Sequence, residues 1–259
     1  MWPLSFISED DFKRHVRDTI INYQSKLVDY NLTQFNSNNI DPIKLLFDKY
    51  VYDFGWDEVV KSEIARQLDK STNNDIGYFH QNIFKYIADC SVPSSGWDVI
   101  YEPSGGANLP DGQHVKRLFV EMKNKHNTMN SSASSKTYQK MQRQLLSDGH
   151  CACLLVEIIA RNSQDITWKL SVDGKKEDHP RIRRVSIDQF YAIVTGQADA
   201  FHQMCKVLPQ VIRQELAATS AETKTDDTVI SEIYEIMKKE GITFEDVLYR
   251  LGFPSYTGF

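Results

Sequence analysis

At 259 residues, with 41% hydrophobic and 25% charged side chains, the chain has a globular composition and length for one large domain, or a domain with a small appendage. No apolar run is long enough to cross a bilayer, MWPLSFISEDDFKRH has no basic stretch leading into an apolar one, and four cysteines at irregular spacing argue against a disulfide framework. A soluble, intracellular protein is expected. The net charge of -5 does not favour a polyanion partner, yet between Gln113 and Arg143 seven Lys and Arg face one acid, Glu121.

The amphipathic pattern from Phe12 to about Tyr30 predicts a helix, followed by the polar loop TQFNSNN and a helix begun by Asp41-Pro42, a good N-cap and N1 pair. From Trp56 to about Leu68 the apolar residues of a further helix fill one arc, and Glu63 and Gln67 fall inside it. A buried carboxylate needs a partner or a metal, which makes Glu63 a candidate site residue. STNND predicts a turn, after which Ile76, Phe79, Ile83, Phe84 and Ile87 mark another helix, with His80 as a core histidine on its inner face.

WDVIYE, 97–102, predicts a strand, EPSGGANLPDGQ a turn and VKRLFVEMK the returning strand. HNTMNSSASSKTYQKMQRQLL is polar and serine-rich before an amphipathic helix. CACLLVEIIA is nearly all apolar, as strands in a sheet interior are. Cys151 and Cys153 share one face of it and are expected as small core residues, since no second Cys or His pair has zinc-ligand spacing. DITWKLSV, the DGKK turn and RIRRVSI predict a further hairpin, and helices follow from DQFYAIVTG through VLPQVIRQELA. TSAETKTDD, 219–227, reads as a linker, and ISEIYEIMKKEG with TFEDVLYRLGF predicts a C-terminal helical pair. The expected fold class is α/β, a mixed central sheet flanked by helices with mainly helical N- and C-terminal parts, divided into a domain of residues 1–218 and an appendage of 219–259.

The stretch LFVEMKNKH, 118–126, runs an apolar strand into a carboxylate and a lysine. Strand alternation puts Glu121 and Lys123 on one face and Leu118, Val120 and Met122 on the other. E-x-K by itself fits a simple ion pair better than a site. The predicted hairpin, however, carries Asp98 toward the same end, and an inward Glu63 would bring a third carboxylate. Carboxylates are hard ligands suited to Mg²⁺, and a lysine beside them can orient a water and offset phosphate charge, the parts needed to hydrolyse a phosphodiester.

This arrangement resembles the PD-(D/E)xK nuclease superfamily, in which an acid on one strand and (D/E)xK on the next form a metal site on a helix-flanked mixed sheet. Asp98 matches the first acid, with Trp97 where the motif has Pro, and Glu121 and Lys123 match the second half. Over most of the chain, DKSTNNDIGYFHQNIFKYI, GWDVIYE, VEMKNKHNTMNSSASSKTYQKMQ and FYAIVTG resemble type II restriction endonucleases that cut GGNCC or GGWCC sites, with the last 40 or so residues less similar.

The resemblance implies a bacterial, cytoplasmic, Mg²⁺-dependent endonuclease acting on double-stranded DNA as a homodimer, alongside a methyltransferase that protects the same site. It implies that Asp98 and Glu121 hold the metal and that Lys123 positions the attacking water; the inward Glu63 of the helical arc is expected to join through a metal-bound water or to cap the site. Asn124, Lys125, His126 and Asn127 would lie where the chain leaves the sheet beside DNA, with Lys125 on a phosphate. Asn127 and Asn130 suit either base edges or loop and cap positions. Lys136, Lys140 and Arg143 suit either the DNA backbone or a solvated helix face. The alternatives are another PD-(D/E)xK nuclease, of the repair or junction-resolving kind, and a non-catalytic DNA-binding module.

Overall fold

The computed structural model describes residues 2–26, 30–126, 129–172, 175–219 and 228–252. Its helices are α1 (Glu9–Ser25), α2 (Leu32–Ser37), α3 (Pro42–Tyr52), α4 (Trp56–Asn82), α5 (Ser131–Ser147), α6 (Ile187–Thr195), α7 (Ala200–Ala218), α8 (Val229–Glu240) and α9 (Phe244–Gly252). Its strands are β1 (Cys90–Ser91), β2 (Val99–Tyr101), β3 (Ala107–Asn108), β4 (His114–Val115), β5 (Arg117–Lys125), β6 (Cys151–Ile159), β7 (Asp165–Thr167), β8 (Leu170–Val172), β9 (Lys175–Glu177) and β10 (Ile182–Ser186). Six of the strands form one sheet in the order β1-β2-β5-β6-β10-β7. β6 is parallel to both β5 and β10, while β1, β2 and β7 join antiparallel, so the sheet is mixed as expected.

A parallel centre needs cover on both faces, and β6 meets that requirement with a continuous apolar run buried from Cys151 through Val156. On one face Phe119, Cys151, Cys153 and Leu155 pack against Tyr138, Met141 and Leu145 of α5, which makes the two thiols core groups. Leu118, Val120, Leu154 and Val156, of the opposite parity, are buried as well. The α5 crossover between β5 and β6 thus lays one helix directly over the face that carries Glu121 and Lys123.

The chain separates into two compact units, Met1–Thr19 with Ile76–Thr219, and Ile20–Asp75 with Ser220–Phe259. The first contains the sheet. The second has its own core, in which Leu32, Phe35, Leu45 and Val60 meet Ile233, Phe244 and Leu248, and Trp56 stacks on Phe244 at 4.5 Å. The C-terminal helical pair, read above as an appendage, therefore shares a core with α2, α3 and part of α4. Asp41 caps α3 as expected, accepting from the Ile43 and Lys44 amides at 3.1 Å. Residues 220–227 of the expected linker lie outside the described residues.

Two predicted details differ. No turn interrupts the chain at STNND: α4 is one helix through it. The Thr72 hydroxyl donates back to the Leu68 carbonyl at 3.0 Å and the Asn73 amide to Asp69 at 2.9 Å. These turn-forming groups are satisfied within the helix, so packing on either side overrides their weak propensity. The hairpin expected from DITWKLSV and RIRRVSI forms, with β7 antiparallel to β10 in the main sheet, but its outer part differs: β8 and β9 leave the sheet as a separate two-stranded ribbon.

Candidate active site

Asp98 is the residue just before β2, and the Val99–Val120 register places it across from Glu121 on β5. Two bonds lock it there: its amide donates to the Val120 carbonyl at 3.0 Å, and its Oδ2 accepts from the Met122 amide at 2.7 Å. Gln81, at the end of α4, donates to the Asp98 carbonyl at 3.2 Å. Lys123 lies two residues beyond Glu121 on the same face, and its Nζ donates to Glu121 Oε1 at 2.9 Å. The hairpin thus brings Asp98, Glu121 and Lys123 together.

A second lysine completes the cluster. Lys140 of α5 donates to Glu121 Oε2 at 2.7 Å and to the Gly96 carbonyl, with its Nζ 4.0 Å from the centroid of the Trp97 ring. Trp97 is held in turn by its Nε1–H bond to Gln144 of the same helix at 3.3 Å and by a tilted contact with Phe119. Both Glu121 oxygens therefore carry an ammonium.

The electrostatics separate the two acids. Burial raises the Asp98 carboxyl above its usual value; the Met122 amide opposes this, the Glu121 charge adds to it, and Lys123 and Lys140 weaken it. For Glu121 burial again pushes upward, but the bonds from Lys140 and Lys123 outweigh it and the net shift is downward. Two partly buried carboxylates held across one antiparallel pair repel each other, and a hard dication relieves that repulsion. The oxygen donor set fits Mg²⁺, which takes one or two carboxylates and fills its shell with water and phosphate oxygens.

The model of the Eco47II restriction endonuclease family matches residues 4–217, which span the sheet and this cluster. The chain belongs to that family. Among curated relatives, it is 27% identical to the type II restriction enzyme Sau96I of Staphylococcus aureus over 259 residues, covering 97% of this chain and 95% of that one. It is 28% identical to the type II restriction enzyme Eco47II of Escherichia coli over 226 residues, 83% of this chain and 88% of the relative. The protein is accordingly a type II restriction endonuclease, a hydrolase acting on double-stranded DNA. Among the described residues no helix is long and apolar enough to cross a membrane.

For this member of the family the structure also locates the other residues singled out from sequence. Lys125 follows Lys123 on the same face of β5, whereas Asn124 points the other way, against Gly77 of α4. Asn130 is the N-cap of α5 and accepts from the Ala133 amide at 2.8 Å. Lys136 is exposed on α5. Asn127 lies outside the described residues. Glu63 belongs to the second unit, and its carboxylate is taken up there by Arg66 Nε at 2.7 Å and Gln67 Nε2 at 2.9 Å.

A neighbouring cluster was not anticipated. Glu157 on β6 is in register with Lys123 on β5, is 1% exposed, and accepts a two-pronged bond from Arg184 of β10 through Nε (2.9 Å) and Nη2. The same Nη2 donates to His126 Nδ1 at 2.7 Å. His126 Nδ1 also lies 3.3 Å from Glu157 Oε2, so the three side chains form one cluster. The one signal for this cluster was Glu157 itself, a lone acid in the run CACLLVEII.

Proposed function

We propose that this endonuclease cuts both strands of a short palindromic GGNCC or GGWCC-like site in a Mg²⁺-dependent reaction, as the restriction half of a restriction–modification system. The observation that carries the reading is the convergence of Asp98, Glu121 and Lys123 at one end of the β2–β5 hairpin. Asp98 and Glu121 would hold the metal ion, which when bound supplies charge neutralisation at the reacting phosphate and a more acidic water.

The chain's own side chains supply the rest. Lys123, anchored to Glu121 at 2.9 Å, positions the attacking water and carries positive charge to the phosphate. Lys140, tethered over Trp97 and bonded to Glu121, would offset the charge that builds on the same phosphate. Asp98 is clamped by the Met122 amide, so its second oxygen keeps a fixed direction. Glu63, bonded to Arg66 and Gln67 in the other compact unit, is left out of this proposal.

A twofold-symmetric DNA site is most simply cut by a twofold dimer with one active site per strand, and homodimer action is part of the proposal. The protecting partner is a methyltransferase of the same specificity. Digestion of two otherwise identical plasmids, one methylated at its GGNCC sites, tests the reading. Cleavage of the unmethylated plasmid alone, at those sites, is expected. Equal cutting of both, or cutting unrelated to sequence, would instead indicate a repair or junction-resolving nuclease.

A further inference from the structure

We infer that a cleft beside the catalytic cluster is a second anion subsite, which takes the DNA phosphate adjoining the one that is cut; the inference rests on the function proposed above. Lys123, Lys125, Lys169, Arg184 and Glu157 line the cleft, with the buried ring of Trp168 in its wall. Four cations thus converge on a concave surface that holds one carboxylate.

That carboxylate does not neutralise the cleft as a whole, because Glu157 is spent on Arg184. The pair has the form of an orienting device: Glu157, almost fully buried, grips the Nε and Nη2 edge of the guanidinium, and His126 Nδ1 packs against both, 2.7 Å from Nη2 and 3.3 Å from Glu157 Oε2. The Nη1 hydrogens are not used by this cluster. A guanidinium held by a planar fork is presented in one direction, which suits a phosphate far better than a freely moving ammonium does. A merely solvated basic face has no need of a buried acid to aim one of its cations.

Lys123 fixes the identity of the anion. It lines the cleft while its Nζ bonds Glu121, so an anion in the cleft lies next to the reacting phosphate and not at a separate site. Lys169 is exposed and makes no ion pair among the described residues, leaving its charge available to the anion. Bringing these cations together costs free energy in the unliganded chain, and an arriving phosphodiester relieves it.

Binding of the full-length protein to a labelled duplex, measured by fluorescence anisotropy across a salt series with calcium in place of magnesium, tests the subsite. Lys169→Ala should weaken binding severalfold on every sequence and reduce the slope of log affinity against log salt by about one, as loss of one phosphate contact does. Lys206→Ala, on α7, should change neither. A duplex with an uncharged methylphosphonate at the phosphate adjoining the cut should weaken the wild type but not Lys169→Ala. Unchanged affinity and slope in Lys169→Ala, with a wild type that still binds and cuts, would overturn the subsite and leave the function standing. If Lys169→Ala loses only inhibition by free inorganic phosphate, with its DNA slope intact, the site is not a DNA subsite and the inference fails. A wild type that neither binds nor cuts duplex DNA overturns both.

Discussion

The Lys140 ammonium lies 4.0 Å from the centroid of the Trp97 indole, and the same nitrogen donates to Glu121 Oε2 at 2.7 Å. Trp97 stands immediately before Asp98, and the contact gives an aromatic ring at that position a physical purpose. An indole face attracts a cation and holds a flexible lysine stem beside the site without removing its charge.

Lys140→Met should therefore act in two directions. Cleavage should fall by about tenfold or more, the scale of one charge-assisted hydrogen bond. Manganese affinity without DNA, measured by calorimetry, should rise, because Glu121 Oε2 is released for a metal. A purely structural Lys140 would leave metal affinity where it was.

Lys123→Ala should lose cleavage by about a hundredfold or more with only a severalfold loss of duplex binding, since the proposed function puts its main effect at the reacting phosphate. Asp98→Asn and Glu121→Gln should be equally inactive in single-turnover assays. A cleavage rate near wild type in any one of the three would remove that residue from the catalytic set.

Glu63→Gln should leave cleavage within about twofold of wild type and lower the melting temperature. Burial pushes the Glu63 carboxyl up, but bonds from Arg66 and Gln67 outweigh it and hold the folded value below the usual 4.5. Stability from a depressed carboxyl is fully present above about pH 4.5 and is lost as the pH falls through the lower folded value. The gap between wild type and variant should close over that acid range. Arg66 is half exposed, so screening limits the effect near neutrality to about 1 kcal/mol. Loss of cleavage with an unchanged melting curve would return Glu63 to the catalytic site.

Tyr138→Phe should raise the melting temperature. The ring is fully buried edge-on against Trp168, and its hydroxyl finds no partner among the described residues. Removing an unsatisfied buried hydroxyl of unchanged shape should stabilise the fold by about 1 kcal/mol. A lower melting temperature in thermal scans would mean the hydroxyl is bonded.

Asp98, Glu121 and Lys123 were legible in the sequence because strand alternation and a hairpin are short-range devices: a period of two puts Glu121 and Lys123 together, and one turn brings back Asp98. Lys140 could be read as basic but not placed, since its position depends on how α5 crosses the sheet and on the azimuth at which Tyr138 and Met141 dock. Arg184 and His126 were harder still. Arg184 meets Glu157 through the parallel return of β10 beside β6, and His126 meets it through the β5–β6 pairing; both join distant segments that no local pattern encodes. The apolar arc marks Glu63 as buried, but an arc does not show that Arg66, one turn on and half exposed, folds back to engage it. At STNND turn propensity was read correctly and overruled by packing.

The most direct test of the account is digestion of a plasmid of known sequence by wild type and by Lys123→Ala, each with Mg²⁺ and with EDTA, followed by sequencing of the ends. Wild type with Mg²⁺ should yield discrete fragments whose ends all fall within GGNCC or GGWCC sites, and the other three reactions should leave the plasmid intact. Undiminished cutting in chelator, or by Lys123→Ala, would contradict the assignment of Asp98, Glu121 and Lys123 as the site where the phosphodiester is cut.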